Sequence, residues 1–165
     1  MTDAILFPGS FDPVSLGHLD LVERSLRLGR RVVVGVAYNP DKKTLFTVEE
    51  RIELLKRATA HLAGVEVVRI DGLVVDAARR LGIHILVRGV RGGADFDFEV
   101  AMGRTNAELS PGIETILLAP APRYAHVSSS LVRQIALAGG DASAFVPPVV
   151  AEALKKLIQQ KSRKH

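Results

Sequence analysis

AILFPGSFDPVSLGHLDLVERS, residues 4–25, decides how the rest of the chain is read. Ala4 to Phe7 is an unbroken apolar run of strand length, and it stops at Pro8-Gly9, a pair that punctuates regular structure. From Leu19 the apolar positions change period: Leu19, Val22 and Leu26 repeat at helical spacing, with Gly29 as a stop. Between them lie Ser10, Asp12, Pro13, Ser15 and Gly17-His18, a polar turn that delivers an imidazole to the mouth of a helix. A strand passing at once into a helix is the repeating unit of an α/β sheet.

The unit recurs along the chain. RVVVGVAY (31–38), VEVVRI (65–70), HILVRG (84–89) and ETILLAP (114–120) are β-branched or leucine-rich, most of them apolar on successive positions, which predicts strands buried on both faces of a parallel sheet. Thr47 followed by Glu50 makes a capping box ahead of Ile52, Leu55, Ala58 and Leu62. A third helix follows Asp71-Gly72 and ends near Gly82, a fourth spans about Asp95 to Glu108, a fifth Ser129 to Ala138, and Pro147-Pro148 opens the last. The expectation is a single domain over residues 1–165. It is α/β, a doubly wound five-stranded parallel sheet with C-terminal helices, ending in a basic, frayed tail at about 159–165.

Composition bounds the function. At 165 residues the chain is long enough to bury a core without staples, and its 47% hydrophobic and 24% charged residues are the balance of a globular protein. The absence of cysteine excludes disulfides, thiolate metal sites and a cysteine nucleophile. The N-terminus MTDAILF has no positive stretch ahead of a long apolar segment, and no apolar run reaches the ~18 residues of a membrane span, so a cytoplasmic protein with no membrane partner is expected. Net charge is +4, but residues 155–165 alone carry five Lys/Arg and no acid. The remaining 17 basic against 18 acidic residues argue for a solvated basic helix end, not a nucleic-acid surface.

In a doubly wound sheet ligands collect beyond the carboxyl ends of the strands. After the first strand, glycines, Ser10 and the unpaired N–H groups of the helix start suit an anion, with His18 as a further donor; a turn with a partly buried histidine serving a nearby carbonyl is the alternative. Neither a GxxxxGK[ST] nor a GxGxxG motif is present here. After the second strand come Lys42-Lys43, which also read as an exposed basic loop. After the fourth come Arg88 and Arg91, separated by Gly89-Val90, which suit bidentate phosphate binding or ion pairs with Asp95 or Asp97. After the fifth, Ser128, Ser129 and Ser130 supply hydroxyl donors, although capping alone would explain one of them.

SFDPVSLGH (10–18) with SSSLVR (128–133) resembles the two signatures of the nucleotidylyltransferase superfamily, a [HT]xGH element and an S-S-[ST]-x-x-R element. Adding NPDKK (39–43), RGVRGGADFDFE (88–99) and the total length, the chain is similar from residue 4 to 150 to the bacterial phosphopantetheine adenylyltransferase family. The resemblance implies a Rossmann-like nucleotidylyltransferase fold and transfer of AMP from ATP to 4'-phosphopantetheine, giving 3'-dephospho-coenzyme A and pyrophosphate. It implies His18, Ser10, Lys42 and Arg91 as the catalytic set. ATP would be held by Ser10, Phe11, His18, Gly89, Val90, Arg91, Glu99 and the run Tyr124, Ala125, His126, Val127, Ser128, Ser129, Ser130. The acceptor would be held by Ser10, Lys42, Val74 and Arg88. The resemblance further implies Mg²⁺ accompanying ATP with few or no protein ligands, a homohexamer, and coenzyme A as a feedback ligand. Ser10 and Ser15 stand where the family commonly has Thr, Phe98 where Tyr is frequent, and Tyr124 where Trp is frequent; Gly92-Gly93 replaces a small apolar pair.

The chemistry asks for little more than such donors. A phosphate monoester is already anionic near neutral pH, so neither a serine nucleophile nor a general base is needed, only placement of two polyanions and neutralisation of charge as pyrophosphate departs. Rival readings are an adenylyl- or cytidylyltransferase acting on nicotinamide mononucleotide or a polyol phosphate, and a nucleotide sensor or nucleic-acid binder using the basic tail. Lys42 with RGVRGGADFDFE argues against the first pair of acceptors, and a second phosphate site argues against a pure sensor.

Overall fold

The computed structural model describes residues 4–29, 31–41 and 43–162. Strands β1 (Ala4–Gly9), β2 (Arg31–Tyr38), β3 (Val65–Asp71), β4 (Ile85–Gly89) and β5 (Glu114–Leu118) form one sheet in the order β3-β2-β1-β4-β5, every pair parallel. Helices α1 (Leu16–Leu26), α2 (Val48–Thr59), α3 (Val74–Leu81), α4 (Gly93–Leu109), α5 (Ser129–Leu137) and α6 (Pro148–Ser162) fill the connections. This is the doubly wound, Rossmann-like arrangement expected from the alternation of apolar runs and helical periods.

Alternation along each central strand divides the core between two faces. Ile5 and Phe7 of β1, with Val32, Val34 and Val36 of β2, pack under α1, α2, α5 and α6. Ala4 and Leu6, with Val33 and Leu86, face the other way onto Val75, Ala77 and Ala78 of α3. Burial on both faces holds for β1 and β2 but not for the edge strands: β3 has one buried residue and β5 none, since each lacks a neighbour on one side.

Several boundaries differ from the sequence expectation. Strand β1 continues through Pro8 and Gly9, paired there with β2 alone. The Pro8 carbonyl points to the β4 side, where Arg88 meets it, so the missing N–H also falls on that side and costs the β1–β2 ladder nothing. Helix α4 begins at Gly93, two residues before Asp95, because Gly92 serves as its extended N-cap. Helix α6 runs through Ser162, so the part of the expected tail from 159 to 162 is helical, while 163–165 lie outside the described residues.

Where the strands part is where the site forms. Strands β1 and β4 pair only at Ile5–Ile85 and Leu6–Leu86, then separate. Beyond that point connections leave the sheet in opposite directions, and a crevice opens at its carboxyl edge.

Candidate active site

The crevice is a cavity of about 260 Å³ walled by the ends of β1 and β4 and by the first turns of α1 and α5. Ser10 and Phe11 border it from β1, Arg88, Gly89 and Arg91 from β4, Glu99 from α4, and Val127 to Ser130 from the start of α5. Gly89 allows a close approach: a Cβ there would lie 2.5 Å from Cδ1 of Leu21, so the Leu21 side chain can rest on the floor of β4 in this rotamer because position 89 has no side chain.

His18 sits at the mouth of α1 as the third residue after its N-cap. The Ser15 amide donates to Nδ1 at 3.1 Å, with the Ser15 hydroxyl 3.0 Å from the same nitrogen, and the His18 amide donates back to Ser15 Oγ at 3.4 Å. This is a capping box in which imidazole replaces the usual Glu or Gln. With Nδ1 engaged as acceptor, the neutral ring carries its proton on Nε2. Burial, reinforced by the positive charges of Arg91 and then Arg88, pushes the His18 pKa down to about 4, so the ring is a neutral donor at physiological pH. Phe11 fixes its orientation with an edge contact at 5.0 Å between centroids and braces in turn against Phe7 at 5.5 Å. Phe11 achieves this at φ +48°, a left-handed conformation that costs a non-glycine residue about 1–2 kcal/mol.

The two arginines are held by different partners. Arg88 makes a two-pronged bond to Glu99, 2.7 Å from Nε and 2.7 Å from Nη2, and its Nη1 donates to the Pro8 carbonyl at 2.7 Å. The sequence offered Asp95 or Asp97 as its partner; Glu99, two turns into α4 and buried, takes that place because it reaches the gap between β1 and β4. Arg91 does pair with Asp95, through Nε at 2.8 Å, Nη2 at 3.2 Å and its own amide at 3.2 Å, and this holds the Asp95 carboxyl below its usual range.

The three serines divide their labour. Ser128 caps α5 by accepting from the Leu131 amide at 3.1 Å; Ser129 donates to the Pro13 carbonyl at 2.8 Å; Ser130 accepts from Arg133 at 3.2 Å. Arg133 also donates to the Asp12 carbonyl at 2.7 Å. The buried Asp12 carboxylate accepts from the amides of Leu45 and Phe46, tying the segment after β2 to the turn after β1.

A second cavity of about 410 Å³ lies at the ends of β2 and β3, bordered by Ala37, Asn39, Thr44, Arg51 and Gly72, and it shares Ser10 with the first. Several residues named from the sequence fall elsewhere. Tyr124, Ala125 and His126 belong to the short 3-10 turn and the segment after it, outside the lining of the first cavity, and His126 packs edge-on against Phe145. Val90 and Val74 border neither cavity; Val74 opens α3, two residues beyond Gly72. Lys42 lies outside the described residues. The sequence places Asp12 and Ser15 in the polar turn after β1 without giving either a role in the site, and it does not single out Arg51. Their signals were faint but present: Ser15 stands three residues before His18, and Arg51 lies in the apolar stripe of α2 with Val48, Leu55 and Ala58.

The site's donors are guanidinium, imidazole N–H, hydroxyls and helix-start amides, and its carboxylates Glu99 and Asp95 are each taken up by an arginine. Among the described residues no group of three or more His, Asp or Glu could hold a metal ion. Such a donor set fits phosphate oxygens and does not fit a protein-held dication.

The first cavity lies at the switch point of the sheet and meets the second at Ser10, and the protein is an enzyme of the nucleotidyltransferase class. The chain belongs to the cytidylyltransferase-like family, whose model matches residues 6–135. It is similar in structure to a Vibrio parahaemolyticus protein provisionally assigned as a nicotinate-nucleotide adenylyltransferase, with a TM-score of 0.62 over 92% of this chain and 97% of that one. Their identity is 20%, so the likeness speaks for the fold. Among the described residues no helix is long and apolar enough to cross a membrane.

Proposed function

We propose that this protein is an adenylyltransferase that moves AMP from ATP to 4'-phosphopantetheine, releasing pyrophosphate and forming 3'-dephospho-coenzyme A in the cytoplasm. The observation that carries the two-substrate reading is Ser10, which borders both cavities: a group-transfer enzyme needs two adjoining chambers that meet at the reacting atoms. Support for this acceptor comes from the Lys42 loop and the RGVRGGADFDFE segment. In the reaction an acceptor phosphate oxygen attacks the α-phosphorus of ATP as the bond to the β-phosphate bridge breaks. Electrons and charge pass to pyrophosphate, and no proton need be removed.

His18 serves through Nε2–H on the α-phosphate as charge builds. Arg91, the Ser128 hydroxyl and the helix-start amide of Ser129 steady the departing phosphates, and Arg88, Lys42 and Ser10 receive the acceptor phosphate. Mg²⁺ enters with ATP, coordinated by phosphates and water, and no step here is routed through it. Coenzyme A, which shares both halves of the product, is the proposed feedback ligand.

A homohexamer is part of the same proposal. In α4 the buried residues are Glu99 and Asn106, while Phe96, Phe98, Met102 and Leu109 are exposed, an inverted pattern that suits a face covered by another subunit.

The deciding experiment incubates the protein with ATP, Mg²⁺ and a panel of acceptors, following pyrophosphate and the adenylylated product. The expected result is turnover of 4'-phosphopantetheine. Nicotinate or nicotinamide mononucleotide belongs in the panel because the structural neighbour is assigned to that chemistry. Turnover of either in place of phosphopantetheine overturns the acceptor and leaves the reaction class standing.

A further inference from the structure

Arg51 breaks the rule of its helix. It shares the inward face of α2 with Val48, Leu55 and Ala58 and is 3% exposed, as deeply buried as they are. A guanidinium at such depth ordinarily has a carboxylate beside it. Its partners are instead three backbone carbonyls: Nη1 donates to Ser10 at 2.6 Å and to Ala37 at 3.1 Å, and Nε to Thr47 at 3.4 Å. Burial pulls its pKa below the ordinary arginine value, against the opposing pull of Asp12, yet an arginine remains charged throughout the physiological range.

The three carbonyls belong to three segments, and Arg51 gathers them just beyond the last β1–β2 pair, Gly9–Val36, and beside the Asp12 carboxylate that holds residues 45 and 46. Ser10 is the first residue after β1, Ala37 lies near the end of β2, and Thr47 caps α2. Ser10, Ala37 and Arg51 itself line the second cavity, and Ser10 borders the first as well. Both bonds leave Nη1, whose two N–H directions are fixed in the guanidinium plane, and the Nε bond to Thr47 holds that plane, so the angle between the two strand ends is set. A lysine ammonium can donate to both carbonyls, but its N–H directions rotate freely and it has no Nε anchor, so it does not fix that angle.

We propose that Arg51 is a positioning residue for the acceptor half of the site, holding Ser10 in register with the end of β2 so that the acceptor phosphate meets ATP at the right distance. This rests on the two-substrate reading given above. The nucleotide half is built on different supports, the Ser15–His18 cap, the Arg91–Asp95 pair and the serines of α5, and Arg51 touches none of them.

The test compares wild type, Arg51→Lys and Arg51→Met by thermal melting and by steady-state kinetics with each substrate varied in turn, using whichever panel acceptor the wild type turns over. In Arg51→Lys the KM for ATP stays within about twofold while the KM for the acceptor rises ~10-fold and kcat falls severalfold, because misplacement of about 1 Å at a reacting centre costs rate steeply. In Arg51→Met the same split widens. Equal changes in both KM values, or none in a folded variant, overturn the proposal, as does loss of a cooperative melt in both variants, which would make Arg51 a residue of the fold alone. If the wild type uses a mononucleotide instead of phosphopantetheine, the acceptor assignment falls, and Arg51 is judged by the same split on that acceptor.

Discussion

Helices α1 and α4 both open onto the same cavity, and their first turns are built in opposite ways. Helix α1 begins with a closed box of Ser15 and His18 and has no acidic residue in its first turn. Helix α4 follows the N-cap Gly92 with no side-chain cap bond, and its early turns carry Asp95 and Glu99, engaged by Arg91 just after β4 and by Arg88 at its end. One wall thus offers a neutral donor whose tautomer is fixed by the helix itself. The other offers cations balanced in advance by their own carboxylates. The difference shows how a site can be made ready for polyanions without gathering bare positive charge. Burial first, and then repulsion by Arg91 and Arg88, keeps the ring at position 18 neutral, while each arginine is aimed by an acid.

Breaking the α1 wall should cost the most. Replacing His18 by Ala should lower kcat by ~10²–10³ with the fold retained, the usual loss for one preorganised donor; near-normal turnover in the purified variant would remove the role assigned to the ring. Its titration can be followed separately. An unfolded histidine titrates near 6.5 and the folded ring near 4, so between those values the unfolded chain binds the proton first. The stability contributed by the neutral ring is therefore full above pH 6.5 and is lost as pH falls toward 4. The difference in unfolding free energy between wild type and His18→Ala should shrink over that window and stay flat above it, while the imidazole resonances of His18 remain those of a neutral ring at pH 5.

The α4 wall should respond in stability and in acceptor use together. Glu99→Gln keeps the shape of the side chain but removes the charge facing Arg88. We expect a loss of about 1–3 kcal/mol in chemical denaturation and ~10-fold in acceptor KM. A variant as stable as wild type with unchanged kinetics would mean that Arg88 needs no such partner.

Smaller changes sharpen the contrast. Ser15→Ala removes the cap hydroxyl but leaves the amide that faces Nδ1, so it should cost about 1 kcal/mol and only a few-fold in rate. Asp95→Asn releases a partly exposed arginine and should cost at most about 1 kcal/mol, with ATP KM changed less than by any substitution on the α1 side. A larger kinetic effect from Asp95→Asn than from His18→Ala would reverse the ranking of the two walls.

The same contrast explains what was legible in the sequence. Strand β2 was read to the residue, and α2 and α5 nearly so, because their apolar periods, the Thr47–Glu50 box and the serine run are local signals. The gathering of Ser10, His18, Arg88, Arg91 and the serines at one edge followed from a general rule of parallel sheets, without any knowledge of side-chain contacts. What stayed hidden is what depends on distant partners. Glu99 reaching Arg88 across the β1–β4 gap, Asp12 serving the amides of residues 45 and 46, and Arg51 collecting three carbonyls are all pairings between segments whose spacing only the folded sheet sets. Helix α4 misled in another way: Phe96, Phe98, Met102 and Leu109 are exposed while Glu99 is buried, so its period carries little information about which side faces in.

The contact between Gly89 and Leu21 has one more consequence. The way Leu21 sits in the cavity floor depends on a missing methyl group, since a carbon added at position 89 would lie 2.5 Å from its Cδ1 and force that side chain to turn aside. A lone alanine at 89 would therefore act on Leu21 before it touched any ligand, and a shorter side chain at 21 would absorb it.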